Sequence, residues 1–140
     1  MSYTTDTQIL THQGVLTMIN AAVAKAEEID QPQCVVIVDA SGELLGEIRM
    51  TGAKFLSRKS AQAKALTAAS IGAPSTNVPE AVRPLIGLVT DGTVTGLPGG
   101  LPIIIGDACL GGIGIGSGSG PQDIEVANAA LQAINATVFE

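Results

Sequence analysis

The stretch Cys34-Val35-Val36-Ile37-Val38-Asp39-Ala40-Ser41-Gly42-Glu43-Leu44-Leu45-Gly46-Glu47-Ile48 decides the fold. It opens on an apolar, mainly β-branched run, the composition that suits a buried pleated surface. Asp39-Ala40-Ser41-Gly42 supplies turn chemistry, and a second strand-like run follows it. Two strands joined this tightly predict an antiparallel hairpin. Upstream, Thr11 to Ile29 places Val15, Ile19, Ala22, Ala26 and Ile29 on one stripe of a helix, with Thr11 as its N-cap. Pro32 bars that helix from continuing.

Downstream, Ser57 to Ile71 reads as a second helix. Ala61, Ala65, Ala68 and Ala69 leave it little bulk, so it is expected to lie close against the sheet. Gly72-Ala73-Pro74 ends it, and Pro79 to Leu88 reads as a short third helix. Leu101 to Ile105 and Ala108 to Ile115 read as strands joined across Gly106-Asp107, a type II′ hairpin signal. Pro121 to Ala136 closes the chain as a helix, opened by the capping-box pattern Ser119-Gly120-Pro121-Gln122. The order predicts an α+β fold: a mainly antiparallel sheet of about five strands with helices packed on its faces, in one domain spanning residues 1–140.

Hydrophobic residues make up 46% of the 140 and charged residues 14%, which excludes a disordered, solvating chain. Tyr3, Phe55 and Phe139 are the only aromatics, so the core must come from small aliphatic side chains and the closely approaching backbone that 17 glycines allow. A net charge of -6 argues against binding the phosphate backbone of nucleic acid. The longest apolar stretch, Leu101 to Gly116, is glycine-broken and shorter than a membrane span of about 20 residues. No basic segment followed by an apolar one opens the sequence. The expected location is therefore cytoplasmic, with neither nucleic acid nor membrane as partner. Cys34 and Cys109 admit two readings, a disulfide or two reduced, buried thiols; the second is the plainer one in a reducing compartment.

Several chemistries fail on inspection. There is no Gly-x-x-x-x-Gly-Lys-Ser/Thr, and the run Gly111 to Gly120 fits neither Gly-x-Gly-x-x-Gly nor Gly-x-Ser-x-Gly in any register. One histidine and two strand cysteines give no structural zinc spacing, so no metal site is expected. Two weaker features remain. Arg49, Lys54, Arg58, Lys59 and Lys64 crowd five of the seven cations into sixteen positions. They form either a solvated face or a patch converging on an anion, with Arg49 and Lys64 the best candidates for ligand binding. The glycine-rich exit at Gly116, Ser117 and Gly118 is either a tight turn or a place where bare backbone meets a ligand. Asp123 follows in the next helix as a cap or as a proton-transfer group. His12, the only imidazole, is either a surface residue or the axial ligand of a haem iron, and Met50 is a core residue or a thioether ligand.

Taken together, Val36-Ile37-Val38-Asp39-Ala40-Ser41-Gly42-Glu43-Leu44, Arg49-Met50-Thr51-Gly52-Ala53 and Ser57 with Ala61, Lys64, Ala65 and Thr67 resemble the GlcG/HbpS-like family. Gly99-Gly100-Leu101-Pro102-Ile103 is similar to its Gly-Gly-Val/Leu-Pro-Ile signature, and Leu110 to Gly116 with Gln122-Asp123 to its glycine strand and closing helix. Thr51 stands where the family pattern has Asp. The resemblance implies a profilin-like domain that assembles into homo-oligomers. It adds Gly99 and Gly100 to the ligand-binding candidates. Some members bind haem, others are fused to corrinoid adenosyltransferases or accompany small-molecule catabolism. Three functions follow as expectations. The first is an oligomeric protein holding haem or a related tetrapyrrole between the first helix, the Arg49–Lys64 region and the Gly116 loop. The second is a small catabolic enzyme of lyase, isomerase or hydrolase type, acting on a small carboxylate with Asp123 and Lys64 as catalytic groups. The third is an accessory protein with no ligand of its own.

Overall fold

In the computed structural model, which describes residues 2–140, Cys34–Asp39 (β1) and Leu44–Arg49 (β2) form the expected antiparallel hairpin. Asp39 organises its turn: one carboxylate oxygen accepts from the amides of Ser41 and Glu43. Gly100–Ile105 (β3) and Ala108–Gly116 (β4) form the second hairpin. Gly106 holds a positive φ of 62° at its tip. The strand order is β2-β1-β4-β3, antiparallel throughout.

The sheet thus has four strands, not about five. Residues 90–99 contribute none. Asp91, Gly92 and Gly99 all take positive φ there, which a strand cannot accommodate.

His12–Glu28 (α1) and Gly120–Ala133 (α4) cover one face of the sheet, and Ser57–Ile71 (α2) covers the other. Strand alternation sorts the side chains between them. Val35, Ile37, Ile113 and Ile115 meet Met18 and Ala22 of α1 and Val126 and Leu131 of α4 in the main core. Cys34, Val36 and Val38 face Ala61 and Ala65 of α2.

Strand β4 treats its faces unequally: isoleucines point to the main core, and Gly112, Gly114 and Gly116 lie under α2. A Cβ at Gly114 would fall 1.9 Å from the carbonyl oxygen of Ala61, and one at Gly112 2.2 Å from that of Ala65. At Gly116 it would fall 2.7 Å from the carbonyl oxygen of Ser57. Helix backbone therefore rests on strand backbone with no side chain between. The alanines of α2 and the alternate glycines of β4 are two halves of one contact.

Both sequence-predicted caps form. Thr11 Oγ1 accepts from Gly14 N, and Ser119 and Gln122 close a reciprocal capping box on α4. The expected third helix, Pro79 to Leu88, is split into a 3-10 turn at Glu80–Val82 and an α-helix at Arg83–Val89 (α3), and a further 3-10 turn at Ser75–Asn77 precedes it. Helix α3 leaves Leu85, Leu88 and Val89 exposed. Both cysteines are free thiols. No helix among the described residues is long and apolar enough to cross a membrane.

Candidate functional site

Because α2 lies flat on β4, a long side chain from its middle reaches the strand's end. Lys64 does so. Its ammonium donates to the carbonyl oxygen of Ile115 at 2.7 Å and to Asp123 Oδ2 at 3.0 Å. Asp123, in the first turn of α4, also accepts at Oδ1 from the amide of Gly118 at 3.1 Å. Both side chains are buried, at 5% and 2% residue exposure. Burial pushes the Asp123 carboxyl above its ordinary value, against the opposing pull of the Lys64 ammonium, the Gln33 amide and the Gly118 N–H. Removing one partner of such a pair strands a buried charge and costs about 3–5 kcal/mol.

The backbone around the pair is shaped to admit it. Gly99, at φ 113°, would place a Cβ 2.8 Å from the Cβ of Asp123 and 3.2 Å from Lys64 Nζ. Gly100 would place one 2.3 Å from the carbonyl oxygen of Lys64. Only bare backbone closes this wall. Ser117, with φ at 102°, occupies a conformation disfavoured for a side chain. It is held there from two sides: its Oγ accepts from the amide of Lys54, and its carbonyl oxygen from the Gln31 amide.

Gln33 adds an unsettled element. It is fully buried beside Gly118 and Asp123, near enough to act on the carboxyl, yet neither Nε2 nor Oε1 closes a hydrogen bond among the described residues. An amide left so costs about 1–3 kcal/mol. In front of the pair lies a shallow recess of about 270 Å³, lined by Lys54, Ser57, Ser60, Lys64, Ser117 and Asp123 with parts of the neighbouring loops.

The residues singled out in the sequence divide into groups. Lys64, Asp123, Gly99, Gly100 and Gly118 converge on the buried pair, with Ser117 at its rim. Gly116 lies beneath the first turn of α2. Arg49 stands in register with Cys34, and Cys34 with Gly116, so it lies two strands away, about 10 Å across the sheet. It is exposed and lines a separate groove of about 570 Å³ with Glu27, Asp30, Gln31 and Met50. The Sδ of Met50 accepts from the amide of Gln33.

His12 begins α1 at the far end of the molecule. Its neighbours Thr11 and Gly14 share a groove with Ile105 and Leu110, near the β3–β4 turn. Leu110 and Gly116 are six residues apart on β4, which sets His12 about 20 Å from the buried pair. One copy of the chain therefore does not bring His12, Arg49 and Lys64 around a single ligand. No group of three or more His, Cys, Asp or Glu side chains gathers among the described residues. Gln33 was not singled out. A lone polar residue abutting a fully apolar strand run was the signal that pointed to it.

A family model described as "Haem degrading protein HbpS-like" matches residues 10–132. The corrinoid adenosyltransferase PduO of Citrobacter freundii is 36% identical over 131 residues, covering 90% of this chain but 39% of that protein. The chain thus spans about two-fifths of the length of this relative. Among solved structures, Klebsiella pneumoniae protein ORFY superposes with a TM-score of 0.91 at 27% identity, over 98% of both chains. The PduOC:haem complex superposes at 0.87 with 29% identity, over 95% of this chain and 100% of that one.

Proposed function

Because the chain belongs to the HbpS-like family, we propose that it is an oligomeric ligand-binding protein whose ligand is haem or a related tetrapyrrole. The observation that supports this most directly is the setting of His12. His12 is exposed, its side chain makes no hydrogen bond or ion pair with the described residues, and its chain neighbours Thr11 and Gly14 line a groove of about 420 Å³ with Leu10, Ile105, Leu110 and Ile134. An unspent imidazole one residue along the chain from a partly apolar groove supports haem as the ligand, which asks for a nitrogen for the iron and an apolar bed for the macrocycle.

In this reading His12 would hold the iron and the neighbouring groove would take part of the macrocycle. Bound haem would supply an iron centre for electron or small-ligand exchange. Lys64 is committed to Asp123 and lies at the other end of the molecule, so it takes no part. Arg49 is exposed and uncommitted, and meets a propionate only if a second copy presents it. The similarity to the PduOC:haem complex over almost the whole chain supports the same ligand.

Haem titration followed by absorption tests the proposal. A Soret band should sharpen and shift with saturable stoichiometry, and His12→Ala should weaken binding by about tenfold or more. An unchanged spectrum on titration, or an identical titration of His12→Ala, would reject it.

A further inference from the structure

We propose that the recess in front of Lys64 and Asp123 is a second site, separate from the His12 groove, that binds a small monocarboxylate. An ammonium carries three donors. Lys64 gives one to Ile115 and one to Asp123, and lines the recess with the third unspent. The Ser57 hydroxyl makes no hydrogen bond among the described residues, and Ser117 Oγ is used only as an acceptor, so its proton is also free. Lys54 stands at the mouth. Two ammonium groups face one carboxylate, so the lining is net positive and rich in donors.

The class of anion follows from what is absent from the wall. No arginine fork lines it. In the first turn of α4 the Gln122 amide is taken by the capping box and the Asp123 amide by the Ser119 carbonyl oxygen, Pro121 has none, and Gly120 alone keeps a spare N–H; the amides of α2 are taken by the carbonyls of Lys54, Phe55 and Leu56. A dianion such as phosphate asks for such donors and would be repelled by Asp123. A single carboxylate asks for one ammonium and one or two hydroxyls, which the recess offers. At about 270 Å³ it is also smaller than the roughly 300–1,000 Å³ of pockets for drug-sized ligands.

Gln33 backs the pair without lining the recess. It is fully buried, unpartnered, and stands behind Gly118 and the Asp123 carboxyl. When a bound carboxylate draws on the Lys64 ammonium, Asp123 needs another donor, and Gln33 Nε2 is already beside it.

The test is an amide-resolved NMR titration of the full chain with acetate, lactate and inorganic phosphate, at matched ionic strength with sodium chloride as control. Acetate or lactate should give saturable shifts centred on Gly99, Gly100, Gly118 and Ser57. Lys64→Met should weaken binding by about tenfold or more, the loss expected for one charge-assisted bond. Lys54 is exposed, so Lys54→Glu should fold and also weaken binding; it decides the matter if Lys64→Met does not fold. No saturation by either carboxylate, equal saturation by chloride or phosphate, or a folded Lys64 or Lys54 variant that binds undiminished would overturn the proposal. Failure to bind haem at His12 would leave it standing.

Discussion

At the scale of single residues, the glycines of β4 make the sharpest demand. In Gly114→Ala the new methyl meets the Ala61 carbonyl oxygen, backbone against backbone, where nothing flexible can move aside. Stability should fall by about 3 kcal/mol or more. Gly106→Ala, at a turn with open space around it, meets only the positive-φ penalty of about 1 kcal/mol. Urea denaturation of the two variants measures the contrast, and equal losses would refute the direct-contact account. The alanine content of α2 announced a close approach, but not that alternate glycines of β4 were its counterpart, since spacing along a strand says nothing about what lies above it. Asp123 raises a question of pH. Its folded value exceeds its unfolded one, so the folded carboxyl grips its proton more tightly. It favours folding below the unfolded value of about 3.9, and that contribution is lost as the pH climbs through the higher folded value. In Lys64→Met the restraining ammonium is gone, and Asp123 should titrate higher still. Carbon-13 carboxyl shifts followed against pH would register the rise, and a fall would contradict it.

At the scale of elements, local chemistry was the most legible part. Thr11, Pro32 and the Ser119–Gln122 box delimit α1 and α4 because a cap needs only a side chain and an amide a few residues apart. Ser119→Ala should therefore lower stability by about 1 kcal/mol, read from thermal melts, without disturbing the sheet. The hairpins were legible for the same reason: Asp39-Ala40-Ser41-Gly42 and Gly106-Asp107 carry their turn instructions with them. Residues 72–99 were legible only in part: the stop at Gly72 and a short third helix can be read, their detail cannot. Within this segment Ser75 lies against Gly100, where its Oγ accepts the Gly100 amide. That contact is tertiary, and no local pattern states it. The same holds for Gln33, whose place behind Asp123 arises only when β1 and α4 are brought together.

At the scale of the whole molecule, α3 presents Leu85, Leu88 and Val89 at 69%, 81% and 76% exposure, with no charged residue among them. Water-exposed apolar ridges of this kind mark association surfaces, and a second copy of the chain is the partner the oligomeric reading requires. Leu85→Glu with Leu88→Glu should shift the protein to a smaller species in light scattering while leaving its circular dichroism unchanged; an unaltered mass would move the interface elsewhere. That His12 lies towards one end of the sheet and Lys64 with Asp123 at the other was hidden from the sequence, because it depends on how the strands and helices are brought together. The seating of α2 directly on β4 carries a mechanical consequence. With no rotamer to yield between them, helix and strand move as one solid jaw, bearing Ser57, Lys64 and the Ser117 corner together. Any opening of the recess must then come from its other walls, the Leu97–Pro98 segment and the Gly118–Gly120 entry to α4, which is where exchange of amide hydrogens should be quickest and where a guest molecule should slow it.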